Sequence, residues 1–254
     1  MGCEAAIYKK ERGVSNIGTL LYEADISESF MVEGLIKYHI GGQELWITTT
    51  HVSQLVVTIF LIIIAFAVRR RFKHAEEIPG VFQCLCETVV EMLDNMVIEN
   101  MGKKGRKYAN YIITLFIFIL VSNISGIFGL RSPTADYGVT LMLALVTFVM
   151  IHYNGIRYQK GDYWKGYLDP FFVFLPVNII SELATPVSMS LRLFANLLSG
   201  TIILALWYGM MPIFMKIGIP SVLHVYFDLF SGAIQTYVFA MLTMIFVSQK
   251  FAED

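Results

Sequence analysis

Residues 52–68 read VSQLVVTIFLIIIAFAV, a run without a formal charge, and the basic stretch RRRFK follows at 69–73. A helix that crosses the hydrocarbon core of a bilayer needs about 20 mainly apolar residues, and an excess of Lys and Arg marks its cytoplasmic flank. The run is therefore predicted as a membrane span. The composition agrees, because 56% of the 254 residues are hydrophobic and only 15% are charged. A soluble domain of this size is excluded.

Four further spans are predicted in the same way. Neither 109–130 nor 137–156 contains a formally charged residue, and the segment from 170 to 249 contains only four. A stretch with two prolines and a glycine divides that last segment into two helices, 170–211 and 219–249. Each of the two is longer than the about 20 residues of a perpendicular crossing, so we expect both to be strongly tilted.

Residues 78–101 follow another pattern, in which apolar side chains recur at helical spacing and polar ones take the opposite face. The apolar set is Phe82, Leu85, Cys86, Val89, Leu93, Met96 and Val97, and the polar set is Glu87, Glu91, Asp94 and Asn95. The pattern predicts an amphipathic helix that lies along the membrane surface or packs as a partly wet helix.

The predicted fold is thus an all-α membrane protein with about five membrane-embedded helices and one amphipathic surface helix. Residues 50–254 form a single integral membrane domain, and residues 1–49 form an N-terminal segment. The basic clusters at 69–73, 103–107 and 157–165 fall on one side of the membrane if the helices alternate. The positive-inside rule then places the N-terminus outside and the C-terminus in the cytoplasm.

Several classes of chemistry have no support in the sequence. It contains no Gly-rich phosphate loop of the Walker type, no nucleophile-and-base set and no two-cysteine metal motif. No catalytic or metal-binding residue is therefore predicted. Nucleic acid is not an expected partner, since the net charge is −1 and the basic residues collect in short loops between apolar runs.

Arg192 is the residue that the membrane tolerates least. An arginine at the centre of a bilayer costs about 2.5–3.5 kcal/mol on insertion scales, so its presence indicates a function. Ser188, Asn196 and Ser199 share its helical face, at i−4, i+4 and i+7. A polar seam between helices would explain the two serines. It does not explain the arginine, which has no carboxylate three or four residues away on its own helix.

The last helix carries a second polar stripe, His224, Asp228, Ser231 and Gln235, at i, i+4, i+7 and i+11. Two such stripes that face each other would line an aqueous path. Asp228 is one candidate partner for Arg192, and a carboxylate of another chain is the other. An interfacial histidine explains His224 as well as a pathway role does. Glu182 precedes the arginine by ten residues, about 15 Å along a helix, which suggests a separate access route.

Residues 176–196, PVNIISELATPVSMSLRLFAN, resemble the signature of subunit a of F-type ATP synthases. The Leu-Arg-Leu-Phe-x-Asn core around Arg192, the Pro-Thr-Ala-Asp turn that ends at Asp136, and Gln235 in the last helix occur in the order that this family shows. The resemblance covers most of the chain after residue 45.

The resemblance implies that Arg192 is the stator arginine, which faces the ion-binding carboxylate of a rotating c-ring, with Asn196 and Gln235 as polar neighbours. Two offset half-channels would lead to it, and the candidates for lining them are Asp136, Glu182, His224 and Asp228. The subunit would lie in a bacterial plasma membrane beside the c-ring and the b-type subunits of the peripheral stalk. It would translocate H⁺ or Na⁺ and hold no tightly bound cofactor.

One departure from the family pattern concerns the outer half-channel. Many members have an acidic residue nine positions after the arginine, where this chain has Thr201, and some have histidine where it has Asp228. The outer route is therefore expected to differ in detail, and an exchange of acidic and neutral roles between the two helices is one explanation.

Two other functions fit the residues less well. A secondary transporter or antiporter subunit would bind an anionic substrate at Arg192 and carry the coupling proton on Asp228, but the internal repeats expected of such a protein are not evident. A structural membrane subunit would use its polar stripes only to bind neighbouring helices, which leaves an isolated arginine unexplained.

Overall fold

The computed structural model describes residues 34–40, 43–73, 80–128, 130–160, 163, 173, 175–211 and 218–251. The helices within these ranges are α1 Thr49–Phe72, α2 Val81–Gly105, α3 Ala109–Ile124, α4 Tyr137–Gln159, α5 Leu175–Met210, α6 Ile219–His224 and α7 Gly232–Ser248. Five stretches of helix are long and apolar enough to cross a membrane, one of which joins most of α2 to α3. The predicted all-α membrane fold is confirmed for this part of the chain.

A short hairpin precedes the helices and was not predicted. Strand β1, Gly34–Ile40, pairs antiparallel with β2, Gln43–Thr48, and β2 continues directly into α1. The sequence signal for it is the Gly-Gly dipeptide at 41–42, which stands between two short runs of mixed apolar and polar residues. A pair of glycines between two such runs is typical of a β-hairpin. Residues 1–33 lie outside the described part, and the outer location of the N-terminal segment stays a prediction.

Helix α1 has almost no protein around it. Its buried residues, Thr50, Ser53 and Val57, all lie in the first three turns. Further along, Ile63 and Phe66 are 60% and 67% exposed. Apolar side chains at this density are stable against lipid and not against water, so the second half of α1 faces the bilayer.

Helix α2 changes from exposed to packed along its length. Leu85 and Val89 are 61% and 41% exposed, whereas Leu93 and Val97 are 2% and 0% exposed. The buried half contacts α3 and α7. At Gly102 the backbone leaves helical geometry, with φ of 64°, a value that favours glycine. The C-terminal half of the amphipathic pattern therefore packs against the bundle, and its placement relative to the membrane surface stays a prediction.

The core has two apolar clusters along the bundle. The first joins α2, α3, α4 and α7 through Val97, Met101, Ala109, Ile112, Ile151, Met244, Val247 and Phe251. The second joins α3, α4, α5 and α7 through Leu115, Ile119, Ala144, Met189, Leu193 and Phe239. Met189 and Leu193, which stand three residues before and one residue after Arg192, therefore pack its helix against the rest of the bundle.

Helix α5 is a single helix of 36 residues with Pro186 inside it. At 1.5 Å per residue it is about 54 Å long, well beyond the roughly 30 Å of the hydrocarbon core. The strong tilt stays a prediction. The last span is interrupted, because α6 and α7 are joined by a π-helical segment, Val225–Ser231. A π-helical turn contains one residue more than an α-helical turn, and such turns are often found at functional sites.

Lys107 and the last described residue, Phe251, lie at one end of the bundle. Lys107, in the turn between α2 and α3, places its ammonium nitrogen 4.8 Å from the ring centroid of Tyr108, 4.7 Å from that of Tyr158 and 5.8 Å from that of Phe251. It also donates a hydrogen bond to the Tyr158 hydroxyl. We call this group the aromatic cage, since ammonium groups are attracted to ring faces.

The buried residues of α1, Thr50, Ser53 and Val57, lie in its first three turns. The helix contacts the short 3₁₀ turn Pro133–Ala135, which precedes α4. Its basic residues Arg69, Arg70 and Arg71 lie in its last turn, at the other end of the helix. We refer to the end of the bundle that contains the aromatic cage as the basic end of the protein, after Lys107.

Candidate functional site

Arg192 and Gln235 line one narrow crevice between α5 and α7. The other residues of the crevice are apolar: Met189, Leu193, Val238, Phe239 and Leu242. Arg192 is exposed at the surface of the chain. Among the described residues, no hydrogen bond or ion pair involves its guanidinium group. The two polar side chains that the sequence singled out on separate helices therefore lie in the same crevice.

A direct hydrogen bond joins the two polar stripes one turn further along. The hydroxyl of Ser231 donates to Asn196 Oδ1 at 2.6 Å. The other side-chain atom of Asn196, Nδ2, is buried and has no partner within the described residues. Ser199 donates to the backbone oxygen of Asn196 at 2.9 Å, within its own helix. Ser188 is exposed on the same face of α5 as Arg192.

Close packing brings α5 against the π-helical segment. Gly200 is buried, and a Cβ atom at this position would lie 3.1 Å from Cβ of Phe227. A larger side chain would push the two helices apart. The contact between Asn196 and Ser231 therefore depends on a small residue one turn beyond Asn196.

Asp228 pairs with His224 and not with Arg192. His224 Nδ1 lies 2.8 Å from Asp228 Oδ2, within one turn of the last span. The aspartate is 8% exposed. Its carboxyl group packs over Gly126, where an added Cβ would lie 3.4 Å from Asp228 Cγ. The structure therefore does not contain the candidate pair of Asp228 and Arg192.

Asp136 is the N-cap of α4. Its Oδ1 accepts a hydrogen bond from the backbone N–H of Gly138 at 2.9 Å. An acidic cap satisfies an N–H group that has no partner in the first turn and interacts favourably with the helix dipole. This hydrogen bond is a structural reason for an aspartate at position 136 and requires no role in ion transport. A half-channel role for Asp136 stays a prediction.

A buried polar network lies close by and was not predicted. Asn123 Nδ2 donates to the backbone oxygen of Gly232 at 2.9 Å and to Thr236 Oγ1 at 3.2 Å, while Thr134 Oγ1 donates to Asn123 Oδ1 at 2.7 Å. Gly232 permits the approach, because a Cβ there would lie 2.9 Å from Asn123 Cβ. An asparagine within an uncharged span was the available signal for this network.

Glu182 lies at the basic end, in a pocket between α4, α5 and the residues after α7. Its Oε1 is 3.1 Å from Lys250 Nζ. The pocket has a volume of about 390 Å³. The other polar residues that line it are Gln159, Asn178, Ser181, Thr185 and Gln249. The expectation that Glu182 lies apart from the arginine agrees with this position, but its partner Lys250 was missed, since no local pattern connects residues 68 positions apart.

Comparison with known proteins identifies the family of this chain. The sequence profile of the ATP synthase A chain family matches residues 51–248. The sodium-ion-specific ATP synthase subunit a of Propionigenium modestum is 37% identical over 218 residues, which cover 79% of this chain and 73% of that protein. ATP synthase subunit a of Sulfurihydrogenibium sp. is 35% identical over 181 residues, covering 69% of this chain and 85% of that protein.

A third relative, ATP synthase subunit a of Solidesulfovibrio magneticus, is 38% identical over 177 residues, covering 67% of this chain and 71% of that protein. The profile match spans the helices that carry both polar stripes. With its membrane-spanning helices, the protein is an integral, multi-pass membrane component of an ATP synthase complex, and its work belongs to ion transport and ATP synthesis. The chain belongs to the subunit a family of F-type ATP synthases.

Proposed function

We propose that this chain is the ion-translocating, non-catalytic stator subunit of its ATP synthase and that Arg192 is the residue on which coupling depends. One observation carries the proposal. Arg192 is exposed on α5, beside Leu191 and near Val187, which are 45% and 42% exposed. A guanidinium group among such residues in a membrane is unfavourable without an anionic partner, and the described residues supply none. We infer that the partner comes from another chain.

The ion-binding carboxylate of a c-ring is the partner with the matching chemistry. A fixed positive charge favours the ionised form of a carboxylate that approaches it, and so makes that carboxylate release its ion. The same charge repels ions that would otherwise leak directly across the membrane. Each carboxylate would therefore be discharged at Arg192 and reloaded away from it. Ion flow is then possible only when the ring rotates.

Two routes would lead to the ring from opposite sides. The contact of His224 with the buried Asp228 supports an outer route, because buried ionisable groups in a membrane segment mark ion pathways. The pocket around Glu182 at the basic end supports an inner route. Lys107 and Lys250 lie at the same end of the bundle, which supports a cytoplasmic location for that end, and with it a cytoplasmic C-terminus and an N-terminus outside.

The remaining parts of the proposal concern partners and the ion. The exposed apolar length of α1 suits lipid or the membrane helices of b-type peripheral-stalk subunits. The transported ion is H⁺ or Na⁺, and no tightly bound cofactor is proposed. The sodium-ion-specific relative makes Na⁺ the first ion to test. ATP synthesis in membrane vesicles, measured against Na⁺ concentration at fixed pH, separates the two ions.

The test of the stator assignment is Arg192→Ala in the assembled complex. Ion-driven ATP synthesis should fall to background, while the catalytic head still hydrolyses ATP once it is uncoupled from the membrane part. Arg69→Ala, which removes an arginine from the exposed basic end of α1, is the matched control and should leave synthesis unchanged. Normal coupled synthesis in Arg192→Ala would contradict the proposal.

A further inference from the structure

The pocket at the basic end holds an ammonium group beside a carboxylate. Lys250 Nζ lies 3.1 Å from Glu182 Oε1, and the two side chains are 24% and 21% exposed. Hydroxyl and amide side chains surround the pair, among them Ser181, Thr185 and Asn178. Carboxylate, hydroxyl and carbonyl oxygens are the ligands that hard cations prefer. At about 390 Å³ the pocket has room for roughly ten water molecules besides.

Lys250 is held in this pocket by its neighbours in the chain. The backbone N–H of Lys250 bonds to the oxygen of Val247 at 3.2 Å, so a last turn continues from α7. Phe251 follows and is 9% exposed, with its ring centroid 5.4 Å from that of Tyr158 and 6.2 Å from that of Tyr108. The two tyrosines of the aromatic cage therefore hold Phe251 in place. Phe251 in turn fixes the position from which the neighbouring Lys250 reaches Glu182.

A second contact holds the ammonium group itself. Its nitrogen lies 5.2 Å from the ring centroid of Tyr163, which lines the same pocket. Ion pairs of side chains that keep some contact with water are weak, because water and dissolved ions compete with them. The ammonium group therefore has two contacts in the pocket, the Glu182 carboxylate and the ring of Tyr163.

We propose that the Lys250 ammonium is a tethered occupant of a monovalent-cation site on Glu182, which an ion crossing this end of the protein must displace. An ammonium group on Glu182 offsets the charge of the carboxylate and repels an incoming cation. When Lys250 is displaced, the carboxylate would attract that cation. This inference rests on the proposed function, since it assigns Glu182 to the inner ion route.

The decisive measurement is the rate of ATP synthase in membrane vesicles as a function of coupling-ion concentration on the side of the basic end. Which ion to vary is settled first, from the Na⁺ dependence of the wild-type enzyme at fixed pH. In Lys250→Gln the half-saturating concentration should fall about 3–10-fold, because one competing positive charge is removed from the site. At saturating ion the rates of wild type and variant should converge.

Two controls separate the tethered ammonium from a general charge effect. Lys250→Arg keeps a cation on the same tether and should restore the wild-type half-saturating concentration within about twofold. Lys103→Gln removes an exposed positive charge at the basic end without touching the pocket and should change nothing. An unchanged half-saturating concentration in Lys250→Gln, or an equal shift in Lys103→Gln, would overturn the inference.

A double variant tests whether Glu182 is the site. With Glu182→Gln in place, the further change Lys250→Gln should no longer shift the half-saturating concentration, because the group for which ion and ammonium compete is gone. A full shift in the Glu182→Gln background also overturns the inference. The proposed function is judged apart from this, since coupled synthesis in Arg192→Ala contradicts that function whatever Lys250 does.

The pairing itself has a readout that does not depend on activity. A water-soluble carbodiimide condenses the Glu182 carboxyl group with the Lys250 amine, forming an amide while the carbodiimide takes up the water and leaves as a urea. Mass spectrometry of the digested complex should detect the crosslinked peptides in the wild type and not in Glu182→Gln. Absence of the crosslink in the wild type would remove the structural basis of the inference.

Discussion

Asn196 Oδ1 accepts a hydrogen bond of 2.6 Å from the Ser231 hydroxyl, and this bond joins the arginine-bearing helix to the π-helical segment. Asn196 stands one turn after Arg192, and Ser231 stands one turn before Gln235. The bond therefore fixes the register in which the two polar stripes face each other. It explains why the arginine and the glutamine share one crevice.

Ser231→Ala is expected to weaken this register. The substitution removes the donor and leaves the Asn196 oxygen without its partner in a part-buried position, which costs about 1–3 kcal/mol. The free energy of unfolding, or the thermal midpoint of the detergent-solubilised complex, should fall accordingly. Ser188→Ala is the matched control, since Ser188 is exposed on the same face as the arginine. Equal stability of the two variants would show that the bond contributes nothing.

Gly232→Ala should lower the free energy of unfolding. Alanine usually stabilises a helix relative to glycine, but the clash at this position should outweigh that gain. The added Cβ would lie 2.9 Å from Asn123 Cβ, inside van der Waals distance, and strain of this kind costs about 1–3 kcal/mol. The Asn123 amide would also lose its bond to the Gly232 oxygen. Thermal unfolding measures the loss. Gly80→Ala serves as the control, because nothing lies within 4 Å of its added Cβ.

Asp228→Asn separates the charge of the aspartate from its shape. The two side chains have the same size, so the packing over Gly126 is kept while the carboxylate charge beside His224 is removed. An asparagine side chain cannot take up or release a proton. If the pair lies on the ion route, ion-driven ATP synthesis should therefore fall by about tenfold or more.

The assay for Asp228→Asn is ATP synthesis in vesicles, with assembly of the complex checked by the amount of subunit retained in the membrane. His224→Gln should have a smaller effect than Asp228→Asn, because the His224 side chain is 36% exposed and the Asp228 side chain only 12%. Wild-type synthesis in Asp228→Asn would remove the pair from the route.

The sequence predicted the features of this protein that depend on local pattern. Long apolar runs predicted the spans because a bilayer imposes a length on every helix that crosses it. Periodicity also predicted that Arg192 and Gln235 belong to polar stripes, and the structure brings the stripes together. Spacing along a helix fixes which side chains share a face, so each stripe could be read from one helix alone.

The features that were missed depend on contacts between distant residues. Nothing near Glu182 in the sequence points to Lys250, and nothing near Asn123 points to Thr236. The π-helical segment is also a product of packing. It lies where Gly200 and Gly126 admit close neighbours, Phe227 and Asp228. A helical pattern with a period of 3.6 residues contains no signal for one extra residue in a turn.

Phe251→Ala tests the link between the aromatic cage and the pocket at the basic end. Phe251 is 9% exposed between Tyr108 and Tyr158, and its truncation removes both ring contacts together with one of the three rings around Lys107. Aromatic pairs contribute about 0.5–1.5 kcal/mol each beyond the area they bury. The thermal midpoint of the complex should fall.

The same variant should also release Lys250, since the anchor that positions it is gone while its charge is kept. The half-saturating coupling-ion concentration on the side of the basic end should shift downward, in the direction of Lys250→Gln and by a smaller factor. Phe66→Ala, which truncates a phenylalanine on the exposed face of α1, controls for the loss of a ring at the protein surface. A fall in stability without any shift in half-saturation would show that the cage holds the C-terminal turn but does not position the ammonium group on Glu182.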